Sequence, residues 1–150
     1  MSTEQFSEKS LKELATVDPQ LVKVVVRARA WSRVAFEVSQ GARTIDQQRE
    51  YFAKGASKVN PDAYASKDAL YKAAKHVVGP GCPLSRAVDV FVPGQPGGSY
   101  DKSALAYVAG VMEAAAKSLG VNIRWGGNFA SDGILYKPGT FVDGPHFELT

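Results

Sequence analysis

The chain has 150 residues, 45% of them hydrophobic, with 18 Lys and Arg against 15 Asp and Glu, which is enough apolar side chain for one core and too little length for two full domains. That composition excludes disordered, collagen-like and coiled-coil chains, and a single cysteine, Cys82, excludes both an intramolecular disulfide and a cysteine-rich zinc module. The net charge of +3 mildly favours anionic partners, but no basic run, aromatic-interleaved patch or phosphate-binding loop points to nucleic acid.

The polar N-terminus lacks an apolar leader core, and no stretch of about 18 apolar residues occurs, so the chain is expected to be made soluble in the cytoplasm, without an export signal or membrane insertion. Asp18-Pro19 reads as an N-cap followed by a first-turn proline. Leu21, Val22, Val25, Ala28 and Trp31 then recur at helical spacing over roughly 13 residues. Val34 to Val38 has strand composition, and Thr44 caps a second helix that stops at Gly55, which leaves Arg43 in a strand-to-helix loop. Asn60 to Asp68 reads as loop, with Ser66 capping a helix from Lys67 through Lys75 that runs into His76. Gly-Pro-Gly-Cys-Pro at 79–83 cannot continue a helix. Ala87 to Val92 is a strand interrupted by one charge, Asp89. After the Gly/Pro loop 93–99, Asp101 opens the longest helix, with Leu105, Val108, Met112, Ala115 and Leu119 spaced for burial and Gly120 as its stop. Val121 to Trp125 is expected as a strand, 126–142 as irregular chain, and His146 to Leu149 as a closing strand. No repeat or linker divides the chain, so residues 1–150 are expected to form one domain.

Chemistry concentrates where charge interrupts these patterns. Asp89 needs a partner or a metal if its strand is buried. Asp143-Gly-Pro-His146 holds an acid three residues from an imidazole, and His76 is the other imidazole in the chain. Two histidines and two carboxylates suffice for a His, Asp, His zinc site with an open fourth position and a carboxylate base. Spacing alone leaves structural roles open for each: a hydrogen-bonded histidine, a stiff turn, a small loop thiol at Cys82.

Gly41-Ala-Arg43-Thr44, Gln48, Lys54-Gly55-Ala-Ser57, Lys75-His76-Val-Val-Gly79, Ala87-Val-Asp89, Trp125-Gly126-Gly127 and Asp143-Gly-Pro-His146-Phe-Glu-Leu149 follow one another in an order that resembles phage endolysins of the L-alanyl-D-glutamate peptidase type. These are grouped with the VanX/VanY zinc peptidases, and the resemblance extends to Glu13–Pro19. It implies an α+β fold, Hedgehog/DD-peptidase-like, with a small, mostly antiparallel sheet and packed helices. It implies Zn2+ held by His76, Asp89 and His146, with Asp143 as general base and Arg43 stabilising the developing oxyanion. The implied substrate is the peptidoglycan stem peptide, cut between L-Ala and D-Glu. A D-Ala-D-Ala carboxypeptidase or dipeptidase, or a non-catalytic wall-binding protein with a degenerate site, are the alternatives. Two departures stand out. The family's spacing puts Cys82 seven residues before Asp89, which makes it a competing first ligand to His76, and Ala74 stands where the family has Ser. The resemblance also implies a monomer without a separate wall-binding domain, acting on the periplasmic cell wall once the inner membrane is breached. Glu148 falls on the His146 side of its strand, where orienting a ligand and a plain surface carboxylate are both open and the second is expected, and Trp125, Phe129, Tyr136 and Phe141 are expected as core aromatics rather than groove lining.

Overall fold

The apolar stripe that begins at Asp18-Pro19 forms helix α2 (Pro19–Trp31) in a computed structural model, which describes residues 5–150. The Asp18 carboxylate accepts the Gln20 N–H at 2.9 Å, and Leu21, Val24, Val25 and Ala28 are buried along one side. A short helix, α1 (Glu8–Leu14), precedes it. The long helix α5 (Lys102–Leu119) is capped by Asp101 and stops at Gly120, whose φ of +69° is a left-handed turn that costs a glycine little. Helices α2 and α5 pack against each other, and with α1 they share one core with Val38, Val88, Val90 and Phe147 of the sheet.

That sheet has four antiparallel strands in the order β1 (Glu37–Gln40), β4 (Ala87–Phe91), β6 (His146–Leu149), β5 (Ile123–Trp125). Side chains alternate across a strand, so Val88, Val90 and Phe147, all fully buried, point into the helical core. Asp89, His146 and Glu148 take the opposite face. The register pairs Asp89 with His146 and Arg124 with Glu148. The helices α3 (Ile45–Ala53) and α4 (Lys67–Ala73) lie beside this second face, joined through a two-residue parallel ladder between β2 (Arg43–Thr44) and β3 (Val77–Val78). A smaller cluster of Leu70, Tyr71 and Val77 anchors that half. The architecture is thus α+β with a small, mostly antiparallel sheet. Among the described residues no helix is long and apolar enough to cross a membrane.

Several boundaries differ from the sequence expectation, among them β5, which starts at Ile123 rather than Val121, and β4, which ends at Phe91 rather than Val92. The first strand starts at Glu37 rather than Val34, because Ser32 Oγ bonds both the N–H and the C=O of Val34 and folds that stretch into a local turn. The fourth helix ends at Ala73 rather than Lys75, since Ala74 is extended at φ −126° and ψ 91°. The chain is diverted there into β3, where Arg43 N–H donates to the His76 carbonyl at 2.8 Å. Arg43 itself therefore lies in a strand, β2, rather than in a loop.

Candidate metal centre

Each candidate ligand arrives on a different element. Asp89 is in the middle of β4, His146 opens β6 beside it, and His76 stands between the end of α4 and β3. His76 Nε2, Asp89 Oδ1 and His146 Nδ1 converge: Nε2 is 3.1 Å from Oδ1 and 3.1 Å from Nδ1, and Nδ1 is 3.3 Å from Oδ1. The outward nitrogens are already committed. His76 Nδ1 lies 2.7 Å from the Gly41 carbonyl and His146 Nε2 lies 2.8 Å from Glu148 Oε1, both of which can only accept, so each ring is assigned its proton on that side. When both rings are neutral, the inward nitrogens present lone pairs to each other and to a carboxylate oxygen. Three mutually repelling acceptors at the edge length of a zinc tetrahedron, about 3.3 Å for Zn–N bonds near 2.0–2.1 Å, fit a divalent cation.

Protons compete for the same inward positions. Burial opposes the charge on Asp89, but hydrogen bonds from His146 and His76 hold its carboxyl well below the usual carboxylate range. Burial also works against a charged His146, yet Asp89 and Glu148 together push that imidazole up to about 9. Glu148 is 5% exposed, and hydrogen bonds from His146 and Arg124 outweigh burial to keep it below its ordinary range. The expectation of a surface carboxylate at Glu148 is thereby corrected: facing Arg124 across the β5–β6 ladder, it orients His146.

Above the three ligands lies a groove of about 610 Å³ lined by Arg43, Arg124, Phe129, Phe141 and Asp143 as well as the ligands themselves. Asp143 precedes the Gly144-Pro145 turn into β6, fixed by its N–H to the Gly126 carbonyl at 2.8 Å and by its carbonyl to the His146 N–H at 3.0 Å. Burial, then the negative charge of Asp89, raises the Asp143 carboxyl above its ordinary range, partly offset by His146, His76 and Arg43. Arg43 is held by Gln48, one of the residues that carry the resemblance, and by Gln40 and Tyr51, which no sequence signal singles out: Nη1 donates to Gln48 Oε1 at 2.8 Å, Nη2 to Gln40 Oε1 at 2.6 Å, and the guanidinium lies 4.4 Å from the Tyr51 ring centre. Burial lowers its pKa, against the pull of Asp89, Tyr51 and Asp143.

Cys82 is not brought to this cluster. Its sulfur faces the Leu84 carbonyl at 3.7 Å and lines a separate hollow with Asp68 and Arg86, because Gly79 and Cys82 pair to close a tight loop that carries the thiol away from β4. Ala74 lines the main groove. The four aromatics divide two and two. Trp125 is buried, donating Nε1–H to the Gly144 carbonyl at 2.7 Å, and Tyr136 packs on it edge-to-face. Phe129 and Phe141 stack on each other in the groove wall, so for these two the core expectation is corrected.

A small α+β domain with a His, Asp, His cluster on the open face of its sheet and an unbonded carboxylate beside it has the design of a metallopeptidase. The model of the family described as phage L-alanyl-D-glutamate peptidase matches residues 1–150, and the chain belongs to that family. It is 30% identical to the L-alanyl-D-glutamate peptidase of Escherichia phage T5 over 148 residues, 97% of either chain. It is similar in structure to the L-Ala D-Glu endopeptidase ChiX of Serratia marcescens, with a TM-score of 0.66 and 30% identity, over 97% of this chain and 89% of that one.

Proposed function

We propose that the chain is a zinc endopeptidase that hydrolyses the L-Ala–D-Glu bond of peptidoglycan stem peptides. The observation that carries the reading is the meeting of three lone pairs from His76, Asp89 and His146, 3.1–3.3 Å apart, beneath a groove that also holds Asp143. Those three residues would hold the ion, and their nitrogen and oxygen donors suit zinc. When bound, zinc supplies Lewis-acid polarisation and the means to make water nucleophilic near neutral pH.

The remaining work belongs to the chain. The Asp143 carboxylate, which takes no hydrogen bond from the protein among the described residues, accepts a proton from the attacking water and passes it to the D-Glu nitrogen as that amine leaves. Its raised pKa suits both halves of the transfer. Arg43, fixed by two glutamines and a tyrosine ring, presents a preorganised positive charge where negative charge grows on the carbonyl oxygen. Both histidines serve as ligands, so acid-base work falls to a carboxylate. The net charge of +3 suits an anionic wall, and we place the action there, on the periplasmic side after membrane breach, by a monomer of one catalytic domain.

Purified protein incubated with isolated sacculi, with and without chelator, tests this directly. Mass spectrometry should find new L-Ala carboxyl and D-Glu amino ends, lost on chelation and restored by zinc. Release of D-Ala would instead mean a carboxypeptidase, and binding without cleavage a wall-binding protein. In the same preparation His76→Ala should abolish stoichiometric zinc and Cys82→Ser should retain it, whereas Asp143→Asn should keep the zinc and lose about 10²–10⁴-fold in kcat.

A further inference from the structure

Arg124 has no part in that chemistry, yet it stands on the same face of the sheet as the ligands. Its register partner is Glu148, whose Oε2 accepts from Arg124 Nη2 at 3.0 Å while Oε1 accepts from His146 Nε2 at 2.8 Å. One flank of the guanidinium rests against Phe129, 5.2 Å from the ring centre, and the same ring lies 5.8 Å from that of His146. The side chain is nevertheless 41% exposed and lines the groove. Nη1 finds no protein acceptor among the described residues, and Nε is buried without a partner. Arg43 differs: both of its terminal nitrogens are spent on glutamines. A guanidinium held flat by a ring and one carboxylate, with its Nη1 donors unspent beside a groove, is built to receive a second anion.

The proposed substrate carries such an anion close to the bond that breaks. The D-Glu carbon attached to the scissile nitrogen bears a carboxyl group of its own, and where the stem continues through the side-chain carboxyl that α-carboxylate is free. It lies three bonds from the carbonyl carbon under attack, and Arg124 lies two hydrogen bonds from the ligand His146. The groove's own charges allow it, because Glu148 is already shared between Arg124 and His146, while a divalent ion would balance the charges of Asp89 and Asp143. Resting on the function proposed above, we propose that Arg124 binds the free α-carboxylate of D-Glu on the leaving side of the scissile bond, and that this contact selects the residue accepted there.

The test pairs two soluble stem peptides that differ only at D-Glu, one with the free α-carboxylate and one with the α-carboxamide. Zinc-loaded wild-type protein should cleave the carboxylate form with kcat/KM about 10- to 100-fold higher, the range expected for a charged hydrogen bond in a binding site. Arg124→Gln should lose that factor on the carboxylate peptide only, bringing the ratio near one, and Arg124→Lys should recover part of it. Lys58→Gln, which removes a cation 5.2 Å from the Phe141 ring at the groove edge, controls for general loss of positive charge and should leave the ratio unchanged. Calorimetry on Asp143→Asn, with and without Arg124→Gln, should show the same preference in binding alone. Equal loss on both peptides would overturn the proposal and make Arg124 a support for Glu148; an unaltered ratio in Arg124→Gln, or one altered by Lys58→Gln, would also overturn it. Wild-type protein that binds zinc yet cuts neither peptide refutes the assigned bond, and this inference falls with it.

Discussion

Glu148 carries more of the metal centre than its position in the sequence advertises. It accepts from His146 Nε2 at 2.8 Å and from Arg124 at 3.0 Å, so it fixes both the tautomer and the tilt of one ligand ring. Replacing it with Gln keeps the shape but offers Nε2 a neutral acceptor at best. Zinc affinity should then fall by about 10- to 100-fold, measurable by competition with a chromogenic chelator, while circular dichroism stays that of the wild type. Unchanged affinity would mean that the ring is held by packing alone. At this scale the members of the His, Asp, His cluster were legible and most of their supports were not. His76, Asp89 and His146 announce themselves as imidazoles and as a charge within an apolar strand. Gln48 belongs to the residues that carry the resemblance, but Gln40 and Tyr51 are ordinary polar residues whose function comes from where β1 and α3 set them against Arg43. Even period-two alternation, which put Glu148 on the His146 side, could not say whether that side was open or covered.

Elements with strong local signals fell where the sequence put them. Helix α2 matches its Asp18-Pro19 start and its 13 residues, α5 runs between Asp101 and Gly120, and Thr44 caps α3 with a reciprocal bond from Gln47. The two-residue β2–β3 ladder, too short for any periodicity, is the element that delivers His76, and tertiary pairing alone reveals it. Two glycines test how elements are held. Gly110 is an exposed position within α5, and a methyl group there meets nothing within 4 Å, so Gly110→Ala should stabilise the protein by about 0.5–1 kcal/mol through helix propensity, with activity unchanged. Gly126 is the opposite case. Its backbone lies against that of Asp143, which a β-carbon would strike directly, and its carbonyl accepts the Asp143 N–H at 2.8 Å. Gly126→Ala should cost about 1–3 kcal/mol from overpacking and lower kcat more than zinc stoichiometry, because the displaced segment carries Asp143, the proposed base. Thermal denaturation and single-turnover kinetics on the two variants separate these outcomes.

For the whole molecule, the proposed zinc and protons would compete for one centre, and that competition would set how stability depends on pH. The helical core on one face of the sheet is apolar and indifferent to pH, whereas the other face gathers Asp89, Asp143, His76, His146 and Glu148. In the metal-free protein the His146 imidazole is raised from 6.5 to about 9, despite its burial, by Asp89 and Glu148. A raised pKa stabilises the folded state fully below the unfolded value, and that contribution is lost as pH rises through the folded one. Metal-free protein should therefore lose stability between about pH 6.5 and 9. Zinc must displace the same proton, so over this window its affinity should climb by close to tenfold per pH unit, and the stabilisation by a fixed free zinc concentration should grow with it. Scanning calorimetry at a series of pH values, in chelator and in buffered zinc, should show the metal-free Tm falling while the gap to the zinc-loaded Tm widens. A gap independent of pH would mean that His146 enters the metal-free centre already neutral, leaving Asp89 with no proton to share.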